Sequence, residues 1–205
     1  NNLDHILLGY TTNSTINSIN VTFSVYALHL FNSSGNNIIN STFNSNLGYA
    51  IFSVYSSNNI FANNTVNNNI IGIRLFGGSN NVITNNTFNS NSWWGINPAS
   101  TSSNNFTLNT AQNNSKWDYY STSSSTDIIT NLTTYQNIIS FTSKDIALRG
   151  LQSSEAPSNP TGYSNVNEWI NVTNNSADSW VYLNFSYSES IVDESSLKIW
   201  KYNGT

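Results

Sequence analysis

Apolar and polar positions alternate along residues 1–130 in short runs that repeat with a period near 22 residues. Four Asn-Asn pairs mark the repeat, with spacings of 22, 22 and 24 residues between them. The pairs are Asn36-Asn37, Asn58-Asn59, Asn80-Asn81 and Asn104-Asn105. An apolar residue follows each pair. A period of this length is typical of one coil of a parallel β-helix, which buries its apolar side chains only when coils stack.

Each coil contains three apolar patches separated by polar corners, and we expect like positions to stack into three inward-facing ladders. The first ladder is Ile38, Ile60 and Val82, the second is Phe43, Val66 and Phe88, and the third is Ile51, Ile73 and Ile96. Such short patches between Asn- and Gly-containing corners match strands rather than helices. Asn suits the corners because it tolerates left-handed backbone and because stacked amides bond from coil to coil. The repeat predicts an all-β fold, a right-handed parallel β-helix over residues 1–130.

The period is lost in residues 131–205, where alternating strands predict a small antiparallel, sandwich-like β domain. The predicted strands are Ile138–Thr142, Ile146–Leu151, Trp169–Val172, Trp180–Tyr187 and Leu197–Tyr202. The chain starts within a coil and stops directly after a strand. We therefore expect either a piece of a longer protein or a unit that a partner completes, with this β domain incomplete.

Composition narrows the range of partners. The chain has 40 Asn in 205 residues, only 8% charged residues, a net charge of −4 and no Cys. With so few basic residues, the sequence has no basic stripe of the kind that nucleic-acid-binding proteins carry. No apolar run approaches the roughly 18 residues of a membrane-spanning helix. We expect no nucleic-acid partner, no membrane insertion in this segment, no thiolate metal site and no cofactor.

The residues needed for polysaccharide cleavage are scarce. Glycoside hydrolysis needs two nearby carboxylates, yet no Asp or Glu occurs between Thr12 and Trp117. A lyase needs a basic group, and that stretch offers only His29, Arg74 and Lys116. We expect no catalytic residue, which makes a hydrolase or lyase the less favoured interpretation.

Metal sites are also weakly indicated. His5 and His29 lie in different coils, and Asp4 is the only acidic residue near either of them. Glu189, Asp193 and Glu194 form the single candidate for calcium, which prefers several carboxylate oxygens. A solvated loop is the favoured interpretation of that cluster, so no metal site is predicted.

Clustered aromatic residues are the clearest candidates for a binding surface. They are Trp93, Trp94, Trp117, Tyr119 and Tyr120. Because adjacent strand residues face opposite ways, one of Trp93 and Trp94 should point outward. A core position or a contact between subunits is the favoured role for this group, and sugar stacking is the alternative.

Thirteen Asn-x-Ser/Thr motifs make N-glycosylation a second candidate feature. Asn40, Asn63 and Asn85 occupy equivalent positions in successive coils, so sugars on all three would collide. The better candidates are Asn171, Asn174, Asn184, Asn131 and Asn113.

The coils resemble the NosD-like right-handed β-helix repeats of secreted archaeal proteins. The stretch PSNPTGYSNVNEWINVTNNSADSWVYLNFSYSES, followed by ESSLKIWKYNGT, resembles the β domain that follows such repeats in cell-surface proteins of methanogenic archaea. Together the two resemblances cover nearly the whole chain. They imply an extracellular surface-layer or sheath-like protein, whose β domain continues past the position of Thr205.

The sequence thus predicts a non-enzymatic structural protein of the cell surface that assembles with copies of itself into a layer, sheath or filament. The alternative is a carbohydrate-binding or adhesion module that uses the exposed Trp and Tyr side chains. The expected partners are further copies of the chain and, in the alternative, glycans.

Overall fold

The computed structural model describes residues 4–123, 126–135, 137–159, 161–162 and 169–186. Its strands are β1 (Asp4–Gly9), β2 (Thr15–Asn17), β3 (Asn20–Val21), β4 (Tyr26–Phe31), β5 (Asn37–Ile39), β6 (Thr42–Phe43), β7 (Tyr49–Val54), β8 (Ile60–Ala62), β9 (Ile71–Phe76), β10 (Val82–Thr84), β11 (Trp94–Ala99), β12 (Asn105–Thr107), β13 (Trp117–Tyr120), β14 (Asp127–Thr134), β15 (Asn137–Lys144), β16 (Ile146–Gly150), β17 (Ile170–Asn174) and β18 (Trp180–Ser186).

The strands form two long parallel sheets that wind into a right-handed β-helix of about five coils, as the repeat predicts. Sheet I has the order β1-β4-β7-β9-β11-β13-β16-β17, and sheet II has the order β2-β5-β8-β10-β12-β14-β15-β18. A narrow third face contains the pair β3-β6 and continues as single bridges between successive Thr residues. These are Thr42, Thr65, Thr87, Thr110 and Thr133.

Two of the three predicted apolar ladders are confirmed. Phe43, Val66 and Phe88 are all 0% exposed, and so are Ile51 and Ile73. The third ladder continues to Ile96, which is 1% exposed. Burial of each such side chain contributes roughly 1.5–3 kcal/mol, and stacked coils supply this burial continuously.

The first predicted ladder is wrong by one residue in two coils. Ile60 is 40% exposed and Val82 is half-buried, because both lie on the outer side of sheet II. The observed inward column consists of Ile38, Phe61, Ile83, Phe106 and Ile129, all 0–2% exposed and aligned in register. Side chains of a strand alternate between its two faces, so an assignment that is one residue out exchanges inward and outward positions. Here Phe61 and Ile83 are the inward residues instead of Ile60 and Val82.

The last strands are antiparallel, as predicted, and extend the two existing sheets. On sheet II, β14 pairs with β15 and β15 pairs with β18. On sheet I, β13 pairs with β16 and β16 pairs with β17. Strand β14 spans the predicted domain boundary at residues 130 and 131, and that division stays a prediction. The predicted strand Leu197–Tyr202 lies outside the described residues.

Candidate functional site

The recurring unit of the fold is a corner made of two residues with different tasks. The first residue adopts a left-handed backbone, as Asn58 does with φ 57°, and the second turns its side chain inward, as Asn59 does at 0% exposure. The same pairing occurs at Asn80 and Asn81 and at Asn63 and Asn64. Asn accepts the left-handed region at low cost, and its amide is small enough to fill an inner corner.

The inward amides hydrogen-bond from coil to coil. The Oδ1 atom of Asn81 accepts the backbone N–H of Asn59 at 3.0 Å and the Nδ2 of Asn59 at 3.2 Å. In turn the Nδ2 of Asn81 donates to the carbonyl oxygen of Ser56 and to the Oδ1 of Asn104, both at 3.1 Å. The side chain of Asn81 therefore links three successive coils, and both of its polar atoms, Oδ1 and Nδ2, have hydrogen-bond partners.

Three such polar ladders run through the helix. The first contains Asn36, Asn59, Asn81 and Asn104. The second contains Ser41, Asn64, Asn86 and Asn109. The third contains Ser24, Asn46, Asn69, Asn91 and Asn114. In all three ladders the Oδ1 of the later Asn accepts the backbone N–H of the residue one coil earlier, while its own Nδ2 also donates back to a carbonyl oxygen of the preceding coil.

The eight Asn residues predicted as one corner repeat therefore divide into three groups. The ladder members are Asn36, Asn59, Asn81 and Asn104, while Asn58 and Asn80 are exposed left-handed corners. Asn37 and Asn105 lie in strands of sheet II. In two coils the left-handed residue is Gly35 or Ser103, so the Asn-Asn pair begins one position later, at the inward residue. In the other two coils the pair begins at the left-handed residue, and the four pairs are therefore not in register.

The first ladder ends on a carboxylate. The Oδ1 of Asp127 accepts the backbone N–H and the Nδ2 of Asn104, both at 3.0 Å. Its Oδ2 atom is buried without a hydrogen-bond partner, as is the hydroxyl of Ser143 on the paired strand β15. The two donors of Asn104 need an oxygen acceptor at the end of the ladder, and Oδ1 of Asp127 supplies it.

The third ladder ends in the same way at the start of the antiparallel strands. Asp118 accepts the Nδ2 of Asn114 at 2.9 Å through Oδ1 and the backbone N–H of Gly150 at 2.9 Å through Oδ2. Gly150 belongs to β16, the first antiparallel strand of sheet I. The carboxylate thereby joins the last parallel coil to the strands that cover it.

Both carboxyl groups titrate well above their ordinary range. Burial raises the pKa of Asp127 from 3.8 to about 6, against the hydrogen bonds from Asn104. Burial likewise raises the pKa of Asp118 to about 6, although the bonds from Asn114 and Gly150 and the charge of Arg149 lower it. Desolvation of the charged carboxylate therefore outweighs the hydrogen bonds that it accepts at both ladder ends.

The predicted aromatic cluster is divided between the core and the surface. Tyr119 is 0% exposed and packs edge-on against Phe106 and Phe141, so it offers no ring to a ligand or partner. Trp93 is 45% exposed, and Trp94 stacks on Tyr120 with ring centroids 4.4 Å apart. Trp117 on β13 is half-buried and lies opposite Trp94 of the neighbouring strand β11.

The surface members belong to a larger patch on the outer side of sheet I that the sequence reasoning missed. We call it the aromatic face, and it consists of Tyr26, Tyr49, Phe52, Arg74, Trp93, Trp94, Lys116 and Tyr120. Tyr26 stacks on Tyr49 at 5.4 Å between ring centroids, and Tyr49 lies 4.9 Å from Phe52. The signal that could have revealed it is the spacing of one repeat between Tyr26 and Tyr49, 23 residues, and of two repeats between Tyr49 and Trp94, 45 residues.

The other predicted sites are placed as follows. Asn113 and Asn131 are exposed left-handed corners, Asn174 and Asn184 are exposed on β17 and β18, and Asn171 is half-buried on β17. Glu189, Asp193 and Glu194 lie outside the described residues. Among residues the structure does describe, no three His, Cys, Asp or Glu side chains converge as a metal site. Within that same part of the chain, no helix is long and apolar enough to span a membrane.

Comparison with known families agrees with this architecture. The model of the family described as right handed beta helix region matches residues 4–186. Neither the curated proteins nor the solved structures yield a match. The family match spans the parallel coils and the antiparallel strands that follow them. With most of its length matched, the chain belongs to the right-handed β-helix family.

Proposed function

We propose that the chain is a non-enzymatic structural segment of a cell-surface protein, and that it assembles with copies of itself into a layer, sheath or filament. The β-helix fold is compatible with a structural or surface protein. The three amide ladders support a mechanical role, because they bond each coil to its neighbours through side chains as well as backbone. The carboxylates of Asp118 and Asp127 act as ladder ends in this scheme, rather than as catalytic acids.

The observation that carries self-assembly is a set of bulky apolar residues at exposed left-handed corners. They are Tyr10, Phe23, Tyr55 and Leu108, with φ between 49° and 59° and exposures between 52% and 77%. A left-handed backbone costs such a residue roughly 1 kcal/mol or more, and exposure gains no burial energy in return. Tyr10 and Tyr55 pack against the rings of Phe31 and Phe76 within the fold, with centroids 5.7–6.5 Å apart. Phe23 and Leu108 stay 77% and 52% exposed, and a partner surface would bury them.

Leu108 is the clearest example. Its column contains Asn at the equivalent corners, namely Asn40, Asn63, Asn85 and Asn131. Leu108 and Ile138, which is 44% exposed, line a groove of about 410 Å³ on the sheet II side of the molecule. Ile128, 53% exposed on β14, adds a further apolar side chain to that side. We assign this surface to the contact between copies.

Replacing Leu108 with Asn should separate folding from assembly. We expect Leu108→Asn to raise the free energy of unfolding by about 0.5–1 kcal/mol, because Asn accepts the left-handed corner more readily. The same change should weaken self-association measured by sedimentation velocity. Leu47→Asn is the matched control, since Leu47 is 64% exposed without a left-handed backbone. A folded Leu108→Asn protein that associates as strongly as wild type would contradict the assignment.

A further inference from the structure

We propose that the aromatic face on sheet I binds the same face of a second copy of the chain, with the two β-helices running in opposite directions. The inference rests on the proposed self-assembly and adds a second contact to the one near Leu108 on sheet II. It is carried by the exposed apolar borders of the face, by its area, and by the order of its charges along the helix axis.

Exposed apolar side chains border the aromatic face. On the turn before the strands, Leu47 is 64% exposed and Ile70 is 37% exposed. At the opposite ends of the strands, Tyr10 and Tyr55 are each more than half exposed, and so is Leu7 on β1. An isolated copy leaves this apolar surface in water, whereas a second copy laid on the face would remove it from water.

The face and its borders are large enough for a specific contact. They cover six neighbouring strands of sheet I, from β1 to β13, which is roughly 24 Å along the helix axis at about 4.8 Å per strand. Along the strands they extend from Leu47 to Tyr55, roughly 25 Å at about 3.3 Å per residue. The area of about 600 Å² on each copy gives about 1,200 Å² in total, which reaches the lower end of the range for specific protein interfaces.

The charges on the face are ordered along the helix axis. Residues 4–117 contain only three Asp, Glu, Lys or Arg side chains, and all three lie on this face. Asp4 lies on β1, the first strand, 3.3 Å from Nδ1 of His29. Arg74 lies on β9, the fourth strand, and Lys116 directly precedes β13, the sixth. One end of the face is therefore acidic and the other end is basic.

Reversing one copy makes these charges complementary. In an antiparallel pair the first strand of one copy lies opposite the sixth strand of the other, so Asp4 meets Lys116 of the second copy at both ends. The third strand lies opposite the fourth, which places Arg74 against the Tyr49 and Phe52 rings of the second copy. A parallel pair would set Asp4 against Asp4 and Lys116 against Lys116, so the charge order selects the antiparallel pair.

The cations are already positioned within one copy. The guanidinium carbon of Arg74 lies 5.8 Å from the ring centroid of Tyr49, and its Nη1 donates to Asn97 at 2.9 Å. The Nζ of Lys116 lies 4.1 Å from the centroid of the Trp93 ring. Within the described residues neither cation forms an ion pair with a carboxylate. Both charges are therefore available to a second copy, and side chains held in this way lose little rotamer freedom on contact.

Sedimentation velocity of the Leu108→Asn protein isolates this contact, because that change removes the contact proposed on sheet II. We expect a dimer. Reversing one charge, by Asp4→Lys or by Lys116→Asp, should raise its dissociation constant by about tenfold or more, and combining both reversals should restore the dimer. Melting temperatures should stay within a few degrees of the parent. Lys144→Asp, on β15 of sheet II, is the matched control and should leave the dimer unchanged.

Three results would overturn the inference. If Leu108→Asn is monomeric while the wild type assembles, the face belongs to a partner other than this chain and the proposed function stands. Single reversals that leave the dimer unchanged or tighten it would exclude the antiparallel contact, and so would a double variant no stronger than the singles. A wild type that stops at a dimer, lost on Asp4→Lys but kept on Leu108→Asn, would confirm this contact and contradict extended assembly. Wild-type monomers throughout would contradict both proposals.

Discussion

Asn81→Ala is expected to destabilise the protein by about 4 kcal/mol. The substitution removes an amide that is 0% exposed and bonded to three coils. It leaves the N–H of Asn59, one Nδ2 hydrogen of Asn59 and the carbonyl of Ser56 buried without their partner. Each such orphaned group costs about 1–3 kcal/mol, and neighbouring bonds in the ladder weaken as well. Urea denaturation followed by circular dichroism measures the change.

The neighbouring residue provides the control, because Asn80 and Asn81 look equivalent in the sequence. Asn80 is exposed at a left-handed corner with φ 57°, so Asn80→Ala should cost only about 1 kcal/mol, the conformational penalty of a left-handed Ala. Asn80→Gly should be close to neutral because Gly adopts this backbone freely. Equal losses at the two positions, or a larger loss at Asn80, would refute the division of tasks within the corner.

Asp127→Asn is expected to stabilise the protein at pH 7 by about 2 kcal/mol. Asn keeps an oxygen that accepts from Asn104 and removes a buried charge. Its amide NH2 takes the place of Oδ2, on the strand paired with Ser143, whose hydroxyl also lacks a partner. The folded pKa of about 6 lies above 3.8, so the contribution of this group to stability is complete below pH 3.8 and is lost as the pH rises to about 6. Wild type should therefore gain about 2.4 kcal/mol from this carboxyl between pH 7 and pH 4.

The variant should lose that part of the pH dependence, measured as the free energy of unfolding at pH 4 and pH 7. Asp118→Asn is the contrasting change, because Oδ2 of Asp118 accepts the N–H of Gly150, and the amide NH2 of Asn in that place would set two donors against each other. We expect Asp118→Asn to cost about 2 kcal/mol at pH 7. An Asp127→Asn protein that is less stable than wild type at pH 7, or that keeps the full pH dependence, would contradict this account.

The repeat length and two of the apolar ladders could be predicted from the sequence because both follow from alternation and period. Phe43, Val66 and Phe88 recur in phase and all lie in the core. The register of the first ladder could not be taken from the Asn-Asn pairs, since Asn serves both as a left-handed corner and as an inward amide. A better signal is an inward polar residue two positions before an inward apolar one, as in Asn59 and Phe61.

The candidate surfaces were only partly visible in the sequence. Trp93 and Trp94 are adjacent in the sequence, whereas Tyr49 is distant from them and shares their face only because coils stack, with Ile71 between Tyr49 and Trp94. Tyr119 looked like its neighbour Tyr120 but faces the core. The ladder-ending carboxylates were also hidden, because an isolated Asp in a polar chain resembles a solvated residue until its burial is known.

The claim that this chain is structural material that assembles with itself is tested most directly by electron microscopy of the purified protein at high concentration. The ladder-bonded coils and the apolar corners exposed near Leu108 predict ordered sheets, tubes or filaments with a regular repeat. Wild type should form them, and Leu108→Asn should form fewer or none. Fields of separate, uniform monomers for the wild-type protein, under conditions where its β-sheet circular dichroism is intact, would contradict the claim.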